Sequence, residues 1–483
     1  MAVLKVGGNC NNNCVFCDDL LVKARFEKSL SDIKSELAEL RKTSDRITLP
    51  CNADCRSDFF KIVEYAKSLG FSISLQTNAR MFNYSDFANK AAENISDIKV
   101  IYSQSKNASQ VLQGLKNIKK KDIVIPINRK NCQTLIESIR TLNSQENVKV
   151  LITNPHPAVY ESLKGLSVID RPFELKFELT SKCNMDCEFC FNQNSFGRSL
   201  PDLPISRVKD IIDRIAAFGV KRIRFTGGEP FLRSDFIDIL KHAKKLGLHV
   251  LVNTNGTLVG DVSRLKGLVD EVLLPFHSLD EQYVKEKFAL ARALQDAGIF
   301  VSLNTVLTKE NIDSLDEFVL LFENLEIDWF LARPVPNEKN PMPMTNEQVE
   351  LVIEKLISLR NKLKDGRINI DSIPYCAYDP EKVAVFSRGA AACGVFNKLV
   401  VGPEGKVKPC YSISQNLGSI DLLETAWKDS LSSEIRHLET FPVTCKNCKY
   451  LYDCLGGCRF AAKLADGSYD SMDSLAKPEI FLK

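Results

Sequence analysis

The sequence predicts an α/β protein built as two tandem (β/α)6 partial barrels followed by a small, cysteine-rich α+β domain. Three observations carry this prediction. Residues 47–79 (ITLPCNADCRSDFFKIVEYAKSLGFSISLQTNA) and 224–256 (RFTGGEPFLRSDFIDILKHAKKLGLHVLVNTNG) share RSDF, an AKxLG helix end and a TN turn at constant offset, which marks an internal repeat. Each copy alternates short β-branched runs with amphipathic stretches, the pattern of a parallel sheet flanked by helices. The 16 cysteines among 483 residues are grouped rather than scattered.

The elements follow in order along the second copy. Leu175 to Leu179 reads as a strand, Val208 to Phe218 as a helix, Ile223 to Phe225 as a strand, Phe236 to Leu246 as a helix and Val250 to Asn253 as a strand. The repeat continues with residues 97–105 against 270–278, 123–128 against 300–304, and 149–157 against 328–336. About six such units per copy predict an open barrel rather than a closed eight. The domains expected are a shortened first copy (1–165), a full second copy (170–337), a linker and helix (338–392) and the cysteine-rich domain (393–483). Thr345 with Gln348 forms a capping box that opens a helix to about Lys364. Gly402 to Gly405 reads as a hairpin turn between LVV and KVK.

Composition narrows the function. A net charge of +3 from 64 basic and 61 acidic residues gives no general argument for nucleic acid or anionic membrane. No apolar run approaches the ~20 residues needed to span a bilayer. The start, MAVLKVGGNC, lacks the basic-then-apolar build of a signal peptide. Dense cysteines in a chain with ample core therefore read as metal ligands in a reducing cytoplasm, not as a disulfide frame.

Parallel sheets bind ligands at the carboxyl ends of their strands, and the chemistry-bearing residues of the second copy fall there. Cys183-x3-Cys187-x2-Cys190 follows strand one, Gly227-Gly228-Glu229-Pro230 strand two, Asn253 to Gly256 strand three and Ser278 strand four. Three thiolates at this spacing can hold three irons of a [4Fe–4S] cube and leave the fourth open; taken alone, the spacing fits a zinc knuckle or stray thiols as well.

With Phe189 before the last cysteine, this set resembles the radical S-adenosylmethionine (SAM) enzymes. The resemblance implies that SAM chelates the open iron and is reductively cleaved to a 5′-deoxyadenosyl radical that removes a hydrogen atom from the substrate. It implies that Gly227 and Gly228 approach the SAM amine closely, that Glu229, ahead of Pro230, is the acidic partner of that ammonium, and that Thr254, Asn255 and Ser278 hold the carboxylate and ribose. Asn304 and Arg333 end later strands facing the same cavity. Beside these roles stand plainer ones: a strand-end turn for NTNG, a helix cap for Ser278, a surface ion pair for Arg333. An electron donor of flavodoxin or ferredoxin type is implied as well.

The first copy repeats the triad as Cys10, Cys14 and Cys17 but places Pro50, Cys51, Asn52 and Ala53 where the second has GGEP. The acidic residue is gone and a thiol has arrived. Cys51 or Cys55 then stands as fourth ligand of a closed [4Fe–4S] cluster unable to bind SAM. A four-thiolate Zn²⁺ site and relic cysteines without metal remain the alternatives.

Cys393-x11-Gly405-x4-Cys410 and Cys445-x2-Cys448-x5-Cys454-x3-Cys458 resemble the SPASM extension of radical SAM enzymes, which carries auxiliary [4Fe–4S] clusters. By that resemblance Cys393, Cys410 and Cys458 hold the inner cluster, with Cys376 or a substrate atom as fourth ligand. Cys445, Cys448 and Cys454 hold the outer one, with Asp466, Asp470 or Asp473. One auxiliary cluster instead of two stays open. Cys132 has no evident partner and reads as a buried thiol.

Three functions compete on sequence. The leading one is a maturase that modifies a peptide or protein side chain by radical hydrogen abstraction. The second is a radical SAM oxidase or ligase acting on a small cofactor or sugar precursor, and the third a non-catalytic iron–sulfur electron carrier, against which the intact GGEP argues. No titratable catalytic residue is identified.

Overall fold

The computed structural model describes residues 2–4, 6, 28–42, 44–50, 53–77, 79–100, 117–118, 123–127, 148–152, 168–172, 174–190, 200–322, 327–334, 344–359, 368–371, 373–387, 398–413, 415–428, 433–434, 439 and 441–479. Cys10, Cys14, Cys17, Cys51, Cys132 and Cys393 lie outside them, and Cys55 is described in its backbone alone. The chain divides into two compact units, Met1–Arg171 with Lys245–Gly247 and Pro172–Lys244 with Leu248–Lys483.

The first unit is α/β. Its elements are β1 (Ala2–Val3), α1 (Leu30–Arg41), β2 (Arg46–Leu49), α2 (Phe59–Ser68), β3 (Ser72–Thr77), α3 (Ser85–Asn94), β4 (Asp97–Val100), β5 (Ile123–Ile127), β6 (Val148–Ile152) and β7 (Val168–Asp170). Strands β1 to β4 pair in chain order, all parallel, and β5 to β7 form a second parallel sheet. Helix α2 buries Phe59, Ile62, Val63 and Ala66. That i, i+3, i+4, i+7 spacing puts one apolar stripe on the sheet.

The second unit contains β8 (Glu174–Thr180), α4 (Ile205–Phe218), β9 (Arg222–Gly227), α5 (Phe236–Lys245), β10 (His249–Asn253), β11 (Glu271–Pro275), α6 (Glu281–Asp296), β12 (Phe300–Val306), α7 (Leu315–Phe322) and β13 (Asp328–Ala332). After these come α8 (Asn346–Leu359), β14 (Ile368–Asp371), α9 (Pro380–Phe386), β15 (Lys398–Val401), β16 (Val407–Lys408), α10 (Leu423–Lys428) and α11 (Arg459–Asp466). Strands β8 to β14 pair in chain order and are all parallel. Helix α4 buries Val208, Ile211, Ile212 and Ile215, and α5 buries Phe236, Ile239, Leu240 and Ala243. Each fully buried branched side chain contributes about 1.5–3 kcal/mol.

The sheet exceeds the six strands expected from 170–337. Strand β14 extends one edge, and β15 adds in parallel to β8 at the other, followed by antiparallel β16. An unpaired strand edge leaves its N–H and C=O groups without partners, and the C-terminal residues supply them. The hairpin turn is as expected: Gly402 N–H donates to Lys406 O at 2.8 Å and Gly405 N–H to Gly402 O at 2.9 Å. So is the capping box, with Thr345 N–H to Gln348 Oε1 at 2.9 Å and Gln348 N–H to Thr345 Oγ1 at 3.3 Å. Among the described residues no helix is long and apolar enough to cross a membrane.

Candidate active site

Strand β8 alternates Glu174, Lys176 and Glu178 with Leu175, Phe177 and Leu179. Such alternation normally marks a strand with one face in water, yet Glu174 and Glu178 are as buried as the leucines. Their face is a wall of paired charge. Arg224 Nε and Nη2 donate to Glu174 at 3.0 and 3.2 Å, and Arg224 Nη1 donates to Asn253 Oδ1 at 2.9 Å. Lys408 on β16 donates to Glu178 at 3.0 Å, and Lys176 sits 4.1 Å from the Tyr411 ring centre. Burial opposes ionisation of Glu174, but Arg224 and Lys398 hold it well below the carboxylate range. Burial and the neighbouring Lys398 push Lys176 down to about 8.

At the carboxyl end of this wall the register between β8 and β9 shifts at Glu178/Thr180, so that Thr180 faces Gly227. The cysteine loop begins there, and Cys183, Cys187 and Cys190 are partly exposed on it. Two hydrogen bonds fasten it to the next strand end: Gly228 N–H to Thr180 O and Glu229 N–H to Lys182 O, both 2.8 Å. A Cβ on Gly227, whose φ is +127°, would lie 2.3 Å from Thr180 O; one on Gly228 would lie 1.9 Å from Lys182 O. The paired glycines therefore admit the cysteine-loop backbone itself. We expect Gly228→Ala to lower stability by about 1–3 kcal/mol and to weaken iron loading, read by thermal unfolding and iron content.

Glu229 is 0 % exposed and ties three loops together. Its Oε1 accepts from Phe231 N–H at 3.1 Å and Thr254 Oγ1 at 2.8 Å, and its Oε2 from Asn255 N–H at 2.7 Å. Burial raises its pKa, against the pull of those donors. The Asn255 side chain then donates to Asn184 Oδ1 at 2.7 Å inside the cysteine loop, and Asn184 donates to Thr257 at 2.8 Å. Thus the structure brings Cys183, Cys187, Cys190, Gly227, Gly228, Glu229, Thr254 and Asn255 together, with Pro230 opening the 3-10 turn that follows.

The other expected positions are more varied. Ser278 Oγ accepts from Asp280 N–H at 3.1 Å, a cap-like turn just before α6, and Asn304 lies half-buried on β12. Arg333 is buried and committed to Asp473, which accepts from its Nη1 at 2.9 and 3.0 Å. It is not a surface ion pair.

Asn184, Lys287 and His277 were not singled out by sequence. Lys287 is buried and donates to Asn255 O. His277 meets Phe189 edge-on with centroids 4.6 Å apart, and burial lowers its pKa to about 4. An imidazole that takes Val306 N–H at Nδ1 (3.2 Å) is a neutral packing group here. Only the aromatic at 189 hinted at such a contact.

The Met1–Arg171 unit repeats parts of this construction. In both units the arginine of RSDF clamps the aspartate two residues on: Arg56 to Asp58 at 2.8 and 2.9 Å, Arg233 to Asp235 at 2.9 and 2.8 Å. Each also donates to the backbone ahead of its cysteine triad, Arg56 to Val6 O at 3.0 Å and Arg233 to Leu179 O at 3.3 Å. Thr77 donates to buried Asp54 as Thr254 does to Glu229. A buried acid and a threonine thus pair in the first unit as Glu229 and Thr254 do in the second.

Comparison with known proteins agrees with this geometry. Residues 177–322 match the Radical SAM superfamily. The chain is 25% identical over 334 residues to the PqqA peptide cyclase of Bradyrhizobium diazoefficiens, covering 62% of this chain and 85% of that protein. It is 26% identical over 343 residues to the PqqA peptide cyclase of Rhizobium meliloti, covering 65% and 89%. The crystal structure of Streptococcus suis SuiB bound to S-adenosylmethionine superposes with a TM-score of 0.55 at 18% identity, covering 83% of this chain and 93% of that one. An open cysteine triad, a GGEP turn locked to it and a parallel sheet beneath them accompany the match, and residues 177–322 of this enzyme form a domain of the Radical SAM superfamily.

Proposed function

We propose that this enzyme is a maturase that modifies a peptide or protein side chain. The observation that carries the reading is the extent of similarity to the PqqA peptide cyclases, 334 residues, well beyond the 177–322 segment. Likeness of fold to SuiB, also solved with its precursor peptide SuiA, supports it. When bound, the cluster and SAM supply a radical that takes a hydrogen atom from the substrate. The chain's own task is to hold Cys183, Cys187 and Cys190 in one loop and to keep the GGEP and NTNG turns against it. The ion-paired wall of Glu174, Glu178, Arg224 and Lys408 braces the strand that leads into that loop.

The domain scheme offered from sequence, 1–165, 170–337, 338–392 and 393–483, is part of this proposal. The shared arginine clamp and the Asp54–Thr77 pair support two tandem (β/α)6 partial barrels. In the first, Cys10, Cys14 and Cys17 with Cys51 or Cys55 are proposed to hold a closed cluster. In the SPASM-like region, Cys393, Cys410 and Cys458 hold an inner cluster and Cys445, Cys448 and Cys454 an outer one. SAM contacts are assigned to Gly227, Gly228, Glu229, Pro230, Thr254, Asn255, Ser278 and Asn304; Arg333 is reassigned to structure by its pairing with Asp473. A flavodoxin- or ferredoxin-type protein delivers the electron, in the cytoplasm, where free thiols persist.

Anaerobically reconstituted protein is expected to form 5′-deoxyadenosine from SAM under reduction, and Cys187→Ala to form none. Incubation with short peptides encoded beside the gene should then yield a peptide of altered mass. Turnover of a small precursor with every such peptide unchanged would overturn the maturase reading, and no 5′-deoxyadenosine at all would overturn SAM cleavage.

A further inference from the structure

Beside the four-cysteine run at 445–458, the described fold places a fifth cysteine where sequence order did not suggest it. Cys376 lies in a short turn, Tyr375–Ala377, soon after β14. Sequence reading gave it to the cluster of Cys393, Cys410 and Cys458. Instead, one partly open cleft is lined together by Cys376, Cys445, Cys448 and Cys454, with Tyr450 and Met472 among its walls. The turn is pinned there from both sides. Tyr375 N–H donates to Cys454 Sγ at 3.3 Å, and Cys376 O accepts from Lys477 N–H at 3.1 Å. Asn346 Nδ2 donates to Ala377 O at 2.9 Å and to Leu475 O at 2.8 Å, closing the turn against the C-terminal segment.

The oxygen ligands considered for this group are engaged elsewhere. Asp466 and Asp470 are exposed, and each accepts from a nearby serine, Ser471 and Ser468. Asp473 is 2 % exposed, and its two oxygens take Arg333, Cys458 N–H at 2.6 Å and Leu475 N–H at 2.9 Å. Among the described residues no three His, Cys, Asp or Glu side chains converge on a single ion. A cube differs in kind, because it spreads four thiolates over separate corners around a cluster.

We propose that Cys376 is the fourth thiolate of a [4Fe–4S] cluster otherwise held by Cys445, Cys448 and Cys454. The outer cluster is then all-cysteine, and one ligand comes from the segment that also adds a strand to the catalytic sheet. The Tyr375 N–H directed at Cys454 Sγ is a hydrogen bond to a ligand sulfur, which raises the reduction potential. This rests on the auxiliary-cluster reading above.

The test uses full-length protein with Cys183, Cys187 and Cys190 changed to Ala, so that the SAM cluster adds no signal. Iron, sulfide and electron paramagnetic resonance spectra are measured with Cys376→Ala, Cys376→Ser and Cys448→Ala added in turn. Circular dichroism confirms folding, and Cys376→Ser keeps the side-chain size. The expected result is that both Cys376 variants lose between about one and four irons per chain and change the spectrum in the same component as Cys448→Ala. If Cys448→Ala loses a cluster while both Cys376 variants retain the full spectrum, Cys376 is not a ligand. If Cys448→Ala also changes nothing, the outer cluster itself is absent and the reading beneath the proposal fails with it.

Discussion

Asp473→Ala is expected to destabilise the second unit by about 3–5 kcal/mol, the range for removing one partner of a buried ion pair. Arg333 and Asp473 are both under a tenth exposed, so the guanidinium left behind has no water to turn to. Two backbone donors, Cys458 N–H and Leu475 N–H, lose their acceptor at the same time. Set against a total stability of about 5–15 kcal/mol, this is a large fraction. The loss should be read as a lower urea midpoint. Pairing Asp473→Ala with Arg333→Met should restore part of the stability, because the stranded charge is then gone. An unchanged midpoint in the single variant would show that the pair is not the brace described.

The second large effect is expected of Glu229→Gln. The carboxylate accepts two backbone N–H groups and one hydroxyl, and the amide keeps a single acceptor oxygen. Its NH2 then faces an N–H, either Phe231 or Asn255, and a buried mismatch of this kind costs about 1–3 kcal/mol. Because the bracket sets where the GGEP and NTNG turns stand relative to the cysteine loop, that cost should appear in function. The rate of 5′-deoxyadenosine formation is expected to fall about 10–100-fold, tenfold for each ~1.4 kcal/mol. Glu229→Asp should not rescue, since a shorter side chain cannot span both turns from the same backbone position. Wild-type rates in Glu229→Gln would mean that the turns are held by other contacts.

Much of the second unit was legible in the sequence because it is written in local signals. Strand β9, helix α5 and strand β10 announce themselves by period and by turn residues, and the cysteine spacing fixes what the first loop is for. Long-range pairing was not legible. Arg333 finds Asp473 140 positions later, Lys408 finds Glu178 230 positions earlier, and no residue near either end of these pairs signals the other. The same limit kept the sequence from placing Cys376, already a candidate ligand, beside Cys445, Cys448 and Cys454. The role of the GG pair was half legible: glycine foretold a close approach, and the Thr180–Lys182 backbone is one group that makes it. Strand β8 was legible as a strand, but not the burial of its charges: Glu174 and Glu178 lie inside and are ion-paired.

The seam between the GGEP turn and the cysteine loop also bears on what the site tolerates. Gly228 N–H and Glu229 N–H hold the loop backbone, and Asn255 holds Asn184. The cysteine loop therefore cannot shift without taking the second strand end with it. A substitution in either turn is passed on to the three thiolates, and two motifs that stand far apart in the sequence behave as one mechanical part.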